Sequence, residues 1–289
     1  MNEFVQEAPL ESQGGLWFTE LHRGRAGLTL KVSRMLYSEN SDFQRIDVFE
    51  TEEFGKVLVL YGAVMLSERD EFVYHEMIAH VPLNVHPKPA RVLIIGGGDG
   101  GTLREVLRHE EVESATMVEI DRQVVEVSQR FFPQLGTAFA HPKAQVIYDD
   151  GAHFVTTTER TFDVVLADTS DPVGPAEVLF QRSFYQQVFD RLSEDGVFVP
   201  QTDSPFYNSQ SVKQIYQNLR TVFPIVRMYL AHIPTYPSAL WSFAFCAKRY
   251  HPLDDFRVER CGQPGLRYYN AEVHRASFAL PNYVKELLG

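Results

Sequence analysis

Acidic side chains recur where predicted strands end, and that recurrence is the chain's most concentrated chemical signal. Apolar runs at residues 92–95, 115–120, 145–148 and 163–167 lead in turn to Asp99, Glu119, the pair Asp149 and Asp150, and Asp168 followed by Asp171. In an open parallel sheet, ligands bind outside the carboxyl ends of the strands, so these residues converge on one crevice. A single such aspartate reads as a helix N-cap, but capping does not account for four acidic strand ends in succession. The chemistry they suit is the holding of a cationic ligand.

The first of these strands opens into the run RVLIIGGGDGG, residues 91–101, with glycines at 96, 97, 98, 100 and 101. Such a turn lets backbone approach a ligand closely, because glycine tolerates positive φ and carries no Cβ. Gly96, Gly98 and Gly101 also satisfy GxGxxG, which makes a nicotinamide-dependent dehydrogenase a competing reading. Against it stands Asp99, since a pyrophosphate in that loop would meet a like charge in a partly desolvated site. A nucleoside with a cationic tail would be attracted by the same carboxylate. Glu119 lies 23 residues past Gly96, where a nucleoside-binding fold places the acid that receives ribose hydroxyls; the other reading is a solvated strand end. The Asp150-Gly151 pair meets an adenine edge or caps the next helix. The loop ADTSDPVGPAEVLF, residues 167–180, sets Asp168 and Asp171 three apart beside the crevice. It is either a site for an amine or a rigid turn built on Asp171-Pro172 and Gly174-Pro175.

The elements that position these residues follow from periodicity. Residues 1–15 form a polar tail, and residues 16–69 read as a small antiparallel β-domain: Leu28, Leu30 and Val32 alternate, as do Ile46 and Val48. Such a small sheet is expected to pack on the larger body or on another subunit. Asp70 is placed to cap a helix whose apolar side carries Tyr74, Met77, Ile78 and Val81, after which Pro82, Pro87 and Pro89 break the chain. Residues 70–289 form the larger α/β domain. Its strands at 92–95, 115–120, 145–148, 163–167 and 196–201 alternate with helices near 102–109, 122–132, 152–157, 183–192 and 209–222, predicting a parallel sheet covered on both faces. A further strand at 240–247 follows a turn at 233–238.

Composition narrows the function classes. A formal net charge of −11 argues against a nucleic-acid surface and suits either a cationic ligand or simple colloidal repulsion. The two cysteines, Cys246 and Cys261, have neither disulfide nor metal-ligand spacing, and the ten histidines form no HExxH-type pair, so no metal is expected. No basic start followed by an apolar run opens the sequence and no membrane-length apolar stretch occurs, which predicts a cytoplasmic protein free of membrane.

Eight motifs in order complete the reading: FQRIDVFE, SERDEFVYHEM, VLIIGGGDGGTLREV, MVEID, YDDGAHF, ADTSDPVGPAEVLF, IPTYPS and RYYNAEVHRASFALP. With them the chain resembles the spermidine synthases, polyamine aminopropyltransferases that move the aminopropyl group of decarboxylated S-adenosylmethionine onto a diamine. The resemblance runs from about Trp17 to the C-terminus. It implies a Rossmann-like, methyltransferase-type domain behind a small N-terminal β-domain, a homodimer or homotetramer, and no cofactor beyond decarboxylated S-adenosylmethionine as co-substrate. By position it assigns Gln44, Gly96, Gly98, Asp99, Glu119, Asp150, Gly151 and Pro175 to that nucleoside, with Asp99 on the amino end and Glu119 on the ribose. Tyr74, His75, Asp168, Asp171, Gln201 and Tyr236 fall to the diamine end, and Asp168 matches the catalytic aspartate. Apart from the motif, Tyr74 and His75 read as packing residues.

Three positions depart from the family pattern: Tyr61 and Met65 stand where an aspartate and a glutamine are common, and Ala239 where glycine is. They bear on which diamine is accepted. The expected reaction is spermidine formation from putrescine with release of methylthioadenosine. Cadaverine or agmatine as acceptor, and an amine N-methyltransferase using intact S-adenosylmethionine, are the alternatives, and a non-catalytic nucleoside- or polyamine-binding protein is the remaining one.

Overall fold

The computed structural model describes residues 15–22, 24–170 and 174–289. Five strands, β1 (Leu16–His22), β2 (Ala26–Asn40), β3 (Arg45–Thr51), β4 (Gly55–Leu60) and β5 (Ala63–Ser67), form an antiparallel meander in sequence order. The alternation of Leu28, Leu30 and Val32 lies on one face, which packs with Phe49, Val57, Val59 and Val64. The opposite face carries Ile46, Val48, Leu58 and Leu66 and meets Val124, Val127, Phe132 and Leu135 of the larger body. The small sheet is therefore seated on the body, as a sheet too thin to shield its own core requires. Gly27, inside β2, is a glycine because a Cβ there would come 2.0 Å from the Glu20 carbonyl oxygen.

Helix α1 (Glu71–Leu83) departs from the expected one-sided stripe: apart from Phe72, every residue in it is buried, polar ones included. Asp70 precedes it without giving it a side-chain cap bond, and Pro82 sits within its last turn instead of ending it. The larger sheet is built from β6 (Arg91–Gly96), β7 (Ser114–Glu119), β8 (Ala144–Tyr148), β9 (Phe162–Asp168), β10 (Leu192–Pro200), β11 (Ile225–His232) and β12 (Leu240–Ala247). Its order is β11-β12-β10-β9-β6-β7-β8. The pairs among β6 to β10 are parallel, whereas β12 runs antiparallel between β10 and β11. The sheet is thus mixed, not wholly parallel as the alternation predicts, and β11 is a strand that the sequence reading lacks.

Connecting the strands are α2 (Gly101–Val106), α3 (Arg122–Phe131), the single turn α4 (Pro133–Gly136), α5 (Gly151–Thr157), α6 (Arg182–Arg191) and α7 (Ser209–Arg220), with α8 (Ala271–Ser277) and α9 (Asn282–Leu288) at the end. Two apolar cores flank the sheet. One holds α1 and α2 against residues such as Ile94, Val164 and Phe243, and the other holds α6 and α7 against Leu93, Val165 and Phe198. Strands buried on both faces read as continuous apolar runs, which is why β6, β7 and β9 are legible in the sequence. Among the described residues no helix is long and apolar enough to cross a membrane.

Candidate active site

The glycine loop after β6 is shaped by the acids around it. Gly96, Gly97 and Gly100 adopt φ values of 78°, 71° and 87°. A Cβ on Gly96 would lie 2.1 Å from the Asp168 carbonyl oxygen, and one on Gly98 would lie 2.8 Å from Glu119 Oε2. The loop is glycine-rich in part because β7 and β9 press their terminal acids against it. The Gly97 N–H donates to the Asp168 carbonyl at 2.8 Å, which pins the loop to the neighbouring strand end.

Asp99 and Asp168 stand on either side of this pin in different electrostatic states. At Asp99, burial works to raise the pKa, but the His75 charge, the His75 hydrogen bond and the Gly101 N–H together hold it below the usual carboxylate range. The Gly101 N–H donates to Oδ1 at 2.6 Å, and His75 Nε2 lies 3.2 Å from the same oxygen. His75 in turn places Nδ1 2.6 Å from Glu71 Oε2, and Arg104 donates to both Glu71 oxygens at 2.9 Å. Burial opposes a charge on His75, yet Asp99 and Glu71 outweigh it and raise the imidazole pKa well above its ordinary value. Glu71 itself, disfavoured by burial but bonded to His75 and Arg104, is held at about 2. Arg104, Glu71, His75 and Asp99 thus alternate in charge along one chain of contacts, with His75 its most buried member.

Asp168, at the end of β9, is pushed up to about 6, by burial first and the Asp99 charge second. Its Oδ2 accepts from Thr102 Oγ1 at 2.6 Å, and the Tyr74 hydroxyl also donates to it. One carboxylate is thus held ionised while its neighbour carries a raised pKa. The Tyr74 ring is buried against Tyr236 at 5.8 Å and Phe243 at 5.2 Å. Tyr236 lies in the turn before β12 and packs edge-on against Trp241 at 4.8 Å.

At the end of β7, Glu119 is buried, accepts from the Gly98 and Asp121 N–H groups at 3.1 and 2.9 Å, and is raised to about 7, chiefly by burial. The alternative of a solvated strand end is therefore overturned. Asp150 Oδ1 accepts from the Ala152 and His153 N–H groups, so the helix-cap reading of this residue describes the unliganded chain. Gly151 follows because a Cβ there would meet the Ile95 side chain at 2.4 Å. Gln44 reaches the body from the small sheet's side by donating to Asp121 Oδ2 at 3.1 Å, and Asp121 caps α3 through its other oxygen. Gln201 bonds the loop beyond Asp168, donating to the Thr169 carbonyl at 3.1 Å while it accepts from the Asp203 N–H. Asp171 lies outside the described residues, as does the side chain of Pro175, whose backbone falls in the short helical turn Gly174–Phe180.

Several of the expected residues, Asp99, Glu119, Asp168 and Tyr74 among them, therefore gather at the carboxyl ends of β6, β7 and β9. His75 differs in placement: it stands behind Asp99, 2% exposed, as a buried charge partner. Glu71, Thr102, Arg104 and Asp121 were not foreseen. The Glu71-His75 spacing of one helical turn is a local signal that could have been read. The Arg104-Glu71 contact crosses 33 positions and leaves none.

Comparison with known proteins agrees with this geometry. The family model for the spermine/spermidine synthase domain matches residues 71–256, and that for the spermidine synthase tetramerisation domain matches residues 16–68. The chain belongs to the spermine/spermidine synthase family. It is accordingly an enzyme of the aminopropyltransferase type with a methyltransferase-like fold. A polyamine aminopropyltransferase of Caldicellulosiruptor bescii is 48% identical over 273 residues, 94% of this chain and 98% of that protein. One from Bacillus cytotoxicus is 46% identical, over 94% and 99% of the two chains. Among solved structures, a spermidine synthase in complex with the transition state analogue AdoDATO superimposes with a TM-score of 0.94 at 46% identity, covering 98% of each chain. Spermidine synthase from Thermotoga maritima gives 0.92, at the same identity and coverage.

Proposed function

We propose that this member of the family transfers the aminopropyl group of decarboxylated S-adenosylmethionine to putrescine, giving spermidine and methylthioadenosine. The observation that carries the reading is the unlike pair of carboxylates: Asp99 held ionised beside His75, and Asp168 at about 6 under Tyr74. A cationic nucleoside fits beside Asp99, with Glu119 receiving the ribose hydroxyls and Asp150 with Gly151 and Gln44 closing the adenine side. The AdoDATO complex of a related enzyme supports decarboxylated S-adenosylmethionine as the co-substrate here. The tetramerisation-domain match and the exposed Leu16, Leu21 and Met35 of the β1-β2 hairpin support assembly with further copies of the chain.

The reaction is an in-line displacement. The free-base nitrogen of the diamine forms a bond to the methylene carbon next to the sulfonium, and the carbon–sulfur bond breaks with its electron pair going to sulfur. The nitrogen then loses a proton to Asp168. An alkyl amine has a pKa of ~10.4, so obtaining its free base at neutral pH costs about 4 to 5 kcal/mol. Carboxylates around the amine add to that cost by favouring the ammonium form. Labour is therefore divided: Asp171 with Tyr236 holds the distal ammonium, while Tyr74 and Asp168 orient the attacking nitrogen and receive its proton as charge develops. Pro175 and Gln201 shape the site. Intact S-adenosylmethionine would bring its carboxylate to the ionised Asp99, which disfavours the N-methyltransferase alternative.

A panel of putrescine, cadaverine and agmatine, each given with decarboxylated S-adenosylmethionine and read by product mass, tests the acceptor. Spermidine from putrescine as the most rapidly formed product is expected. Faster aminopropylation of cadaverine or agmatine would overturn the choice of acceptor.

A further inference from the structure

Asp70 has the sequence position of a helix cap but is used otherwise. Only 4% exposed, it accepts from Ser67 Oγ at 2.6 Å through Oδ1. Through Oδ2 it accepts from both the Thr235 N–H at 2.9 Å and Thr235 Oγ1 at 2.8 Å. Three uncharged donors thus converge on one buried carboxylate, two of them from a turn 165 positions away. Hydrogen bonds to an ionised acceptor are the strong ones, and burial shields them from water.

That turn needs holding. Its backbone closes through Ile233 N–H to the Ala239 carbonyl and Ala239 N–H to the Tyr236 carbonyl, both at 2.8 Å. To do so, Ser238 and Ala239 take φ values of 59° and 55°, the left-handed region that residues other than glycine adopt reluctantly. Between Thr235 and this strained pair stands Tyr236. Its hydroxyl donates to the Met65 carbonyl at 2.5 Å, and its ring lies 5.8 Å from Tyr74, which bonds Asp168. Met65 and Asp70 flank the same junction between β5 and α1, so the turn is clasped at two points from one side.

We propose that Asp70 is a positioning residue for the acceptor end of the site: its clasp on Thr235 fixes where Tyr236 stands against Tyr74, and so how firmly a diamine is held. The inference rests on the reading of Tyr236 as a diamine-channel residue. Asp70 touches neither substrate; it acts through the turn. Without the clasp, the strain at Ser238 and Ala239 relaxes and Tyr236 moves away from the acceptor while the nucleoside crevice keeps its shape.

Steady-state kinetics with putrescine and decarboxylated S-adenosylmethionine test this on the whole chain. Asp70→Asn, which keeps the shape but removes the charge, should raise the KM for putrescine about tenfold. Thr235→Val, which removes one of the two donors in the turn, should raise it about threefold. In both variants the KM for decarboxylated S-adenosylmethionine should stay within about twofold of wild type, a split that general loosening of the fold would not give. If Asp70→Asn does not fold, Thr235→Val decides alone. Unchanged putrescine KM, or the two KM values rising in parallel, overturns the proposal. Absence of methylthioadenosine release from the wild-type enzyme with putrescine would instead overturn the function on which it rests.

Discussion

At the scale of single residues, the site separates its carboxylates by environment. Asp99 is kept ionised by a buried imidazolium, Asp168 is lifted to about 6, and Glu119 to about 7. A carboxyl group whose folded pKa is raised above its ordinary value of 4.5 gives stability that is present at low pH and is lost as pH rises through the folded value. For Glu119 that window runs from about pH 4.5 to 7, and the shift corresponds to on the order of 3 kcal/mol for this buried side chain. Glu119→Gln removes the ionisation, so its stability relative to wild type should be more favourable at pH 8 than at pH 5. Urea unfolding of the unliganded proteins at the two values measures this directly. A difference between variant and wild type that does not change with pH would contradict a raised Glu119. The acids at the strand ends were legible because their spacing from the apolar runs is local. The electrostatic distinction between them was not, since it comes from His75, which reaches Asp99 from α1, and from the burial and the Asp99 charge that raise Asp168.

At the scale of elements, α1 is the member that the sequence describes least well. Its Tyr74, Met77, Ile78 and Val81 predict one buried side, whereas Glu71, His75, Glu76 and His80 are buried as well because each finds partners. Glu76 receives the N–H groups of Arg267, Tyr268 and Tyr269, an anchor for the C-terminal segment that no local pattern reveals. Helix α2 fits beneath α1 only because Gly101 has no side chain: a Cβ there would lie 2.2 Å from His75 Cε1. Gly101→Ala should therefore push the two helices apart and destabilise the protein by about 2 kcal/mol, seen as a lowered urea midpoint. An unchanged midpoint would mean that the helices are less tightly joined than this geometry requires. Strands β6, β7 and β9, buried on both faces, were readable as apolar runs. Strand β11 was not, because Arg227 interrupts it and its burial alternates imperfectly between the sheet's edge and solvent. Asp70 shows the same limit in a single residue, since its sequence position fits a cap and its partner Thr235 is distant in the chain.

At the scale of the whole molecule, the small sheet rests on α3, and the strand-end acids gather at the carboxyl ends of the central strands. The net charge of −11 and the strand-end acids act in the same direction, favouring cations at those ends. Family and fold class could be read because ordered motifs carry them. The oligomeric contacts and the acceptor preference could not, because they depend on surfaces and on loop positions such as Tyr61, Met65 and Ala239. In the proposed reaction, aminopropyl transfer depends on Asp168 accepting the nucleophile's proton. Its most direct test is methylthioadenosine release from decarboxylated S-adenosylmethionine and putrescine, measured for the wild-type enzyme and for Asp168→Asn. Rapid release by the wild type is expected, with kcat lowered about a hundredfold or more in the variant and little change in either KM. No methylthioadenosine from the wild type, or near-native turnover by Asp168→Asn, would contradict it.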